Sequence, residues 1–171
     1  AMSMTEDDAG KIWSVTYPSS GVACFDPATR DLRDYGHVYA QGWPQYQRSV
    51  AADDAGWVYF AVGYTASQIV CLDPSTGSAR PLLAESDRRQ GGALVERDEN
   101  GRVYGARLER EPADWIELYR GEARPVGERA DRRPRAYVAG SQTLFHAGFP
   151  DGSRLEACDL TERRLVIRAP D

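Results

Sequence analysis

Lysine is almost absent from this sequence: of 21 basic residues only Lys11 is a lysine, the rest being arginine. That bias reads as GC-rich coding rather than as function. No apolar run approaches the length a membrane-crossing helix needs, so no membrane association is expected. No secretory signal is visible, but Ala1-Met2 reads as a cloning remnant in place of the natural N-terminus, so little follows from that absence. The sequence has no phosphate-cradling glycine loop and no clustered metal ligands, so no cofactor, no metal and no enzyme class is named. The net charge of −5 argues against general nucleic-acid binding. Only three cysteines occur, Cys24, Cys71 and Cys158. They take the same place in successive copies of a repeat, too far apart to pair. They read as small buried apolar residues, and no compartment follows from them.

The repeat is clearest in Ser49–Leu83. A short apolar run ends in the turn Asp53-Asp54-Ala55-Gly56. Trp57–Val62 is aromatic and β-branched without a break, as in a strand buried on both faces. Gln68–Leu72 is a third strand, closed by the turn Asp73-Pro74-Ser75-Thr76-Gly77, and Ser78–Leu83 is a polar fourth. Four antiparallel strands in this length make one propeller blade. Ser3–Trp13 matches Ser49–Tyr59 at an offset of 46, and Asp98–Tyr104 matches Asp53–Tyr59 at 45. Gln142–Phe145 continues the series. The second strand carries an aromatic residue in every copy, Trp13, Tyr59, Tyr104 and Phe145, preceded by an aliphatic one.

The expectation is an all-β chain, a β-propeller of four blades of four antiparallel strands, over 3–35, 48–83, 91–126 and 135–168. Three assemblies fit: a closed four-bladed ring, half of an eight-bladed homodimer, or a fragment of a larger propeller. A single propeller domain or segment accounts for 1–171.

The pattern D-x-x-G-x-[VI]-[YW] followed by [VI]-x-x-[FL]-D-P-x-T-[GR] resembles bacterial propellers of the NHL, PQQ-like and streptogramin-lyase-like kind. The stretch Gly10–Pro18 with Phe25-Asp26-Pro27 is also similar to propeller regions attached to bacterial polysaccharide-processing proteins. The resemblance implies fold and carries no catalytic residue with it.

In such an architecture the loops between blades and those between second and third strands share one face. That face should gather His37, Tyr39, Trp43, Tyr46, Arg48, Arg88, Arg89, Arg132, Arg133 and Arg135. Tyr17, Tyr64, Glu109, Arg110, Phe149 and Asp151 should join them. The aspartate turns should make the opposite face acidic. Arginine forks match carboxylates, sulfates and phosphates, and tyrosine and tryptophan rings offer amphipathic contact area. An anionic oligosaccharide or a protein partner is the expected ligand, with Trp43, Tyr46, Arg48, Tyr64, Arg88, Arg89, Arg132, Arg133 and Arg135 as binding residues. The plainer reading is that these are solvated loop arginines balanced by nearby acids.

Gly36–Gln47 is the longest connection expected, with four aromatics and a histidine. Its plainer reading is a loop that covers a blade edge. As an enzyme, the chain would be a lyase or hydrolase acting on a uronate-containing glycan, with His37, Tyr17 or Tyr39 as acid or base. His146 lies within a strand and reads as a packing residue. A purely structural scaffold is the third reading.

Overall fold

The structure is a computed structural model that describes residues 1–98, 100–108, 115–127, 147–148, 154–157 and 165–168. Glu109, Arg110, Arg132, Arg133, Arg135, His146, Phe149, Asp151 and Cys158 lie outside the described residues. So does the strand expected at Arg135–Ala139.

The chain divides into two units, Ala1–Arg135 and Ala136–Asp171. The first contains three four-stranded antiparallel sheets, each built from consecutive strands. Sheet one is β1 (Ser3–Glu6), β2 (Ile12–Thr16), β3 (Gly21–Asp26) and β4 (Asp31–His37). Sheet two is β5 (Tyr46–Ala52), β6 (Val58–Gly63), β7 (Gln68–Asp73) and β8 (Ser78–Pro81). A single 3-10 turn at Glu85–Asp87 precedes sheet three, which is β9 (Ala93–Arg97), β10 (Val103–Arg107), β11 (Trp115–Tyr119) and β12 (Glu122–Gly127). In the second unit β13 (Ala147–Gly148), β14 (Arg154–Ala157) and β15 (Leu165–Arg168) form one antiparallel sheet.

Sheets one, two and three stack in chain order, with their first strands β1, β5 and β9 side by side. Two apolar layers hold the stack. Trp13, Val15, Val22 and Cys24 of sheet one meet Val58, Phe60, Val62, Val70 and Leu72 of sheet two. Tyr59, Ala61, Ile69 and Cys71, on the other face of sheet two, meet Ala93, Val95, Val103 and Leu118. Strand β6 is therefore buried along its whole length, because both of its faces have a neighbouring sheet. Its unbroken apolar sequence requires this. The fourth strands are largely exposed, and polar residues there cost nothing in core packing. Cys24 and Cys71 are buried free thiols in the two layers. Burial pushes both thiols up from their ordinary pKa, so neither carries reactive thiolate.

In the aspartate turns Asp8 and Asp54 are exposed, whereas the first aspartate of each turn is engaged by the protein. Asp53 and Asp98 are 1% and 8% exposed. Their carboxylates, like that of Asp7, satisfy the turn that follows. Asp7 Oδ1 accepts from the backbone N–H of Ala9 and Lys11, Asp53 Oδ1 from Ala55 and Trp57, and Asp98 Oδ1 from Asn100 and Arg102. The second oxygen reaches the aromatic residue of the second strand. Trp13 Nε1 donates to Asp7 Oδ2 at 2.8 Å, and the Tyr59 hydroxyl donates to Asp53 Oδ2 at 2.9 Å. The repeated Asp and the repeated aromatic thus form one structural device.

Candidate ligand site

The opposite ends of the same strands carry the connections between sheets. Two features of the backbone shape this end. First, β4 runs on to His37 and β5 starts at Tyr46, so the irregular segment expected over Gly36–Gln47 contracts to residues 38–45. It is pinned to the neighbouring loop, with Val38 N–H donating to Ser20 O and Gln45 N–H to Pro18 O. Beneath it Ser20, Gln45 and Gln47 are fully buried. The Ser20 hydroxyl donates to Gln45 Oε1 at 3.3 Å and accepts from Gln47 Nε2 at 2.7 Å. These bonds fix the strand on both sides of Tyr46.

Second, β5 has a register shift against β6. Gln47 lies opposite Val62 and Ser49 opposite Ala61, which leaves Arg48 as the extra residue. A bulged residue leaves the ladder, and its side chain is re-aimed. Arg48 is exposed and lines a cleft of about 210 Å3 between sheets two and three. Tyr46, Tyr64 and Leu108 stand around the cleft, and the backbone of Gly63, Gly91, Gly92 and Ala93 completes it. The glycines allow two chain segments to touch. A Cβ on Gly63 would lie 2.7 Å from Gly91 O and 3.0 Å from Gly92 Cα. Gly91 N–H donates to Tyr64 O at 2.6 Å and Leu108 N–H to Gly92 O at 3.0 Å, which holds the cleft walls together.

Three tyrosines with open rings gather here. Tyr17, Tyr46 and Tyr64 are 46%, 38% and 57% exposed. The rings of Tyr17 and Tyr46 lie 5.1 Å apart at a tilt of 44°. Arg48 is exposed and has no acidic or carbonyl partner among the described residues.

The other described arginines of this end, Arg88, Arg89 and Arg107, are bonded to the protein. Arg88 donates from Nη1 to both Glu85 carboxylate oxygens, at 2.8 and 2.9 Å, and from Nε to Ser67 O. Its side chain is only 9% exposed. Arg89 donates from Nη1 to the carbonyls of Ser86 and Arg88, both at 2.6 Å. Arg107 donates to Asp87 O. Together these bonds fold the 82–92 connection around the guanidinium groups of Arg88, Arg89 and Arg107.

The aromatic and histidine candidates divide in the same way. Trp43 and Tyr39 are half-buried and pack on the apolar layer between sheets one and two. Burial raises the Tyr39 phenol above its ordinary pKa, against the lowering effects of Arg88 and a side-chain hydrogen bond from Gln68. That direction is opposite to what a general base requires. His37 ends β4 across from Gly21, and the cleft does not include it. The structure brings together Tyr46, Arg48 and Tyr64, with Tyr17 joined through Tyr46. Leu108 and the three cleft glycines were not singled out in the sequence. The Gly91-Gly92 pair between two repeats was the available signal.

No family model and no curated protein matches the chain. Solved structures do. The chain is similar to virginiamycin B lyase from Staphylococcus aureus, with 14% identity and a TM-score of 0.52 over 91% of this chain and 48% of that one. The fold is a β-propeller. A protein described as a gluconolactonase aligns with 10% identity and a TM-score of 0.49, over 91% of this chain and 56% of that one. This propeller chain spans about half the length of the solved structures it matches. Its likeness to streptogramin lyases is one of fold, and the three described four-stranded sheets are its blades.

Proposed function

We propose that this propeller chain is a non-catalytic binding module, and that the cleft at Tyr46, Arg48 and Tyr64 takes a uronate-bearing oligosaccharide. The observation that carries this reading is Arg48: a guanidinium re-aimed by a strand bulge, without an acidic or carbonyl partner among the described residues, in a cleft rimmed by exposed tyrosines. A sugar ring presents an apolar C–H face that suits a flat aromatic surface, and a uronate adds the carboxylate that a guanidinium fork matches.

Titration of the protein with trigalacturonate in a calorimeter tests the reading. Wild type should bind, and Arg48→Ala should weaken binding by about tenfold or more, the usual effect of losing a charge-assisted pair. Tyr64→Ala should weaken it further without unfolding the protein, since Tyr64 is the most exposed ring of the three. Equal affinity in wild type and Arg48→Ala would remove the cleft from the account.

A further inference from the structure

The interface between blades one and two and that between blades two and three can be compared position by position, because the repeat supplies equivalents. Cys24 lies opposite Arg33 in sheet one, and Cys71 lies opposite Arg80 in sheet two. Trp13 corresponds to Tyr59, and Lys11 to Trp57. At the aspartate-turn end of the second interface this position is filled. The Trp57 ring packs on the blade-three turn so closely that a Cβ on Gly121 would lie 2.4 Å from it. Arg80 Nη2 donates to Gly121 O at 2.6 Å and to Glu122 Oε1 at 2.7 Å. The turn is also bonded inward, Arg120 N–H to Asp53 Oδ2 and Gly121 N–H to the Tyr59 hydroxyl.

At the first interface the same position is open. Lys11 stands where Trp57 would, and Pro74 and Ser75 stand where the glycine turn would. A cleft of about 430 Å3 remains, with Trp13 and Tyr35 in its wall. Arg33 lies over the Tyr35 ring, 4.4 Å from its centre, and no carboxylate or carbonyl among the described residues accepts from it. The corresponding arginine of blade three, Arg124, is paired with Glu117 at 2.6 Å. Of these three equivalent arginines, Arg80 and Arg124 pair with a carboxylate, and Arg33 has none among the described residues.

We infer that this notch is a second binding site, for a small molecule that joins a flat aromatic ring to a carboxylate. Such a ligand supplies both groups that the neighbouring interface provides for itself. Its ring takes the volume of Trp57, beside Trp13 and Tyr35, and its carboxylate takes the place of Glu122 on Arg33. The notch also holds Asp26 and Asp31. Asp26 is engaged, accepting from Ala28 and Thr29 N–H and lying 4.0 Å from Lys11 Nζ. Asp31 is exposed at the rim and opposes an anion, so Asp31→Asn should tighten binding severalfold.

Indole-3-carboxylate is the probe, with indole and cyclohexanecarboxylate as the arms that lack the carboxylate or the flat ring. Calorimetric titration should show binding of indole-3-carboxylate and at least about tenfold weaker binding of either arm. Arg33→Ala, at an exposed position, should lose about tenfold or more while trigalacturonate affinity stays unchanged. Lys11→Trp installs the neighbouring interface's own ring and should abolish probe binding in a folded protein, as checked by circular dichroism. No binding by wild type at millimolar probe, equal binding of indole, or unchanged affinity in Arg33→Ala would overturn the inference.

Discussion

Asp53 and Tyr59 show how a short motif becomes a joint between blades. The Asp53 carboxylate accepts from Ala55, Trp57 and the Tyr59 hydroxyl within its own blade, and from Arg120 N–H of the next. The Tyr59 hydroxyl accepts in turn from Gly121 N–H. Tyr59→Phe leaves a buried N–H and a buried carboxylate oxygen each short of a partner, so about 1–3 kcal/mol of stability should be lost at neutral pH. Burial and the adjacent Asp53 raise the Tyr59 phenol above its ordinary value of 10.0, against the lowering effect of Gly121 N–H. A raised folded-state value means that its contribution is complete below pH 10 and is lost as pH rises further. Denaturant unfolding across the alkaline range should show this decline in wild type and a shallower one in Tyr59→Phe. The pairing of Asp with an aromatic six residues later was visible as a repeat in the sequence. Its burial was not, because a D-D-A-G run reads equally well as a solvated turn until a second sheet closes over it.

At the scale of the element, the strands and turns were legible because each blade repeats the same punctuation. Val58–Gly63 needed two apolar neighbours, and it has them. The bulge in β5 was hidden, since it is a mismatch between two strands rather than a property of either one. For the same reason Arg48 looked like the equal of Arg88 and Arg89. What separates them is the 82–92 connection, whose carbonyls and Glu85 take up the donors of the other two. Removing Arg48 from the chain would let Gln47 and Ser49 follow one another opposite Val62 and Ala61, a regular ladder on both sides. The deletion variant should keep its β-sheet circular dichroism and lose trigalacturonate binding. Retained binding would show that the bulge does not make the site.

Across the described blades the two ends of the strands differ in what they do with charge. At one end the repeat's aspartates turn inward and lock turns and neighbouring blades together. At the other, most arginines are bound into the connections, and one remains open beside three tyrosines. A chain of net charge −5 can therefore present a local cationic site without any broad basic surface. The likeness to virginiamycin B lyase fixes the architecture and leaves the ligand to the cleft's own chemistry.

The most direct measurement is backbone amide mapping by NMR during titration with trigalacturonate. The expected result is a set of shifted amides confined to Tyr46, Arg48, Gly63, Tyr64, Gly91, Gly92, Ala93 and Leu108. Shifts centred instead on the Glu85–Arg89 turn, or on neither segment, would contradict the assignment of Arg48 and its tyrosines as the binding site.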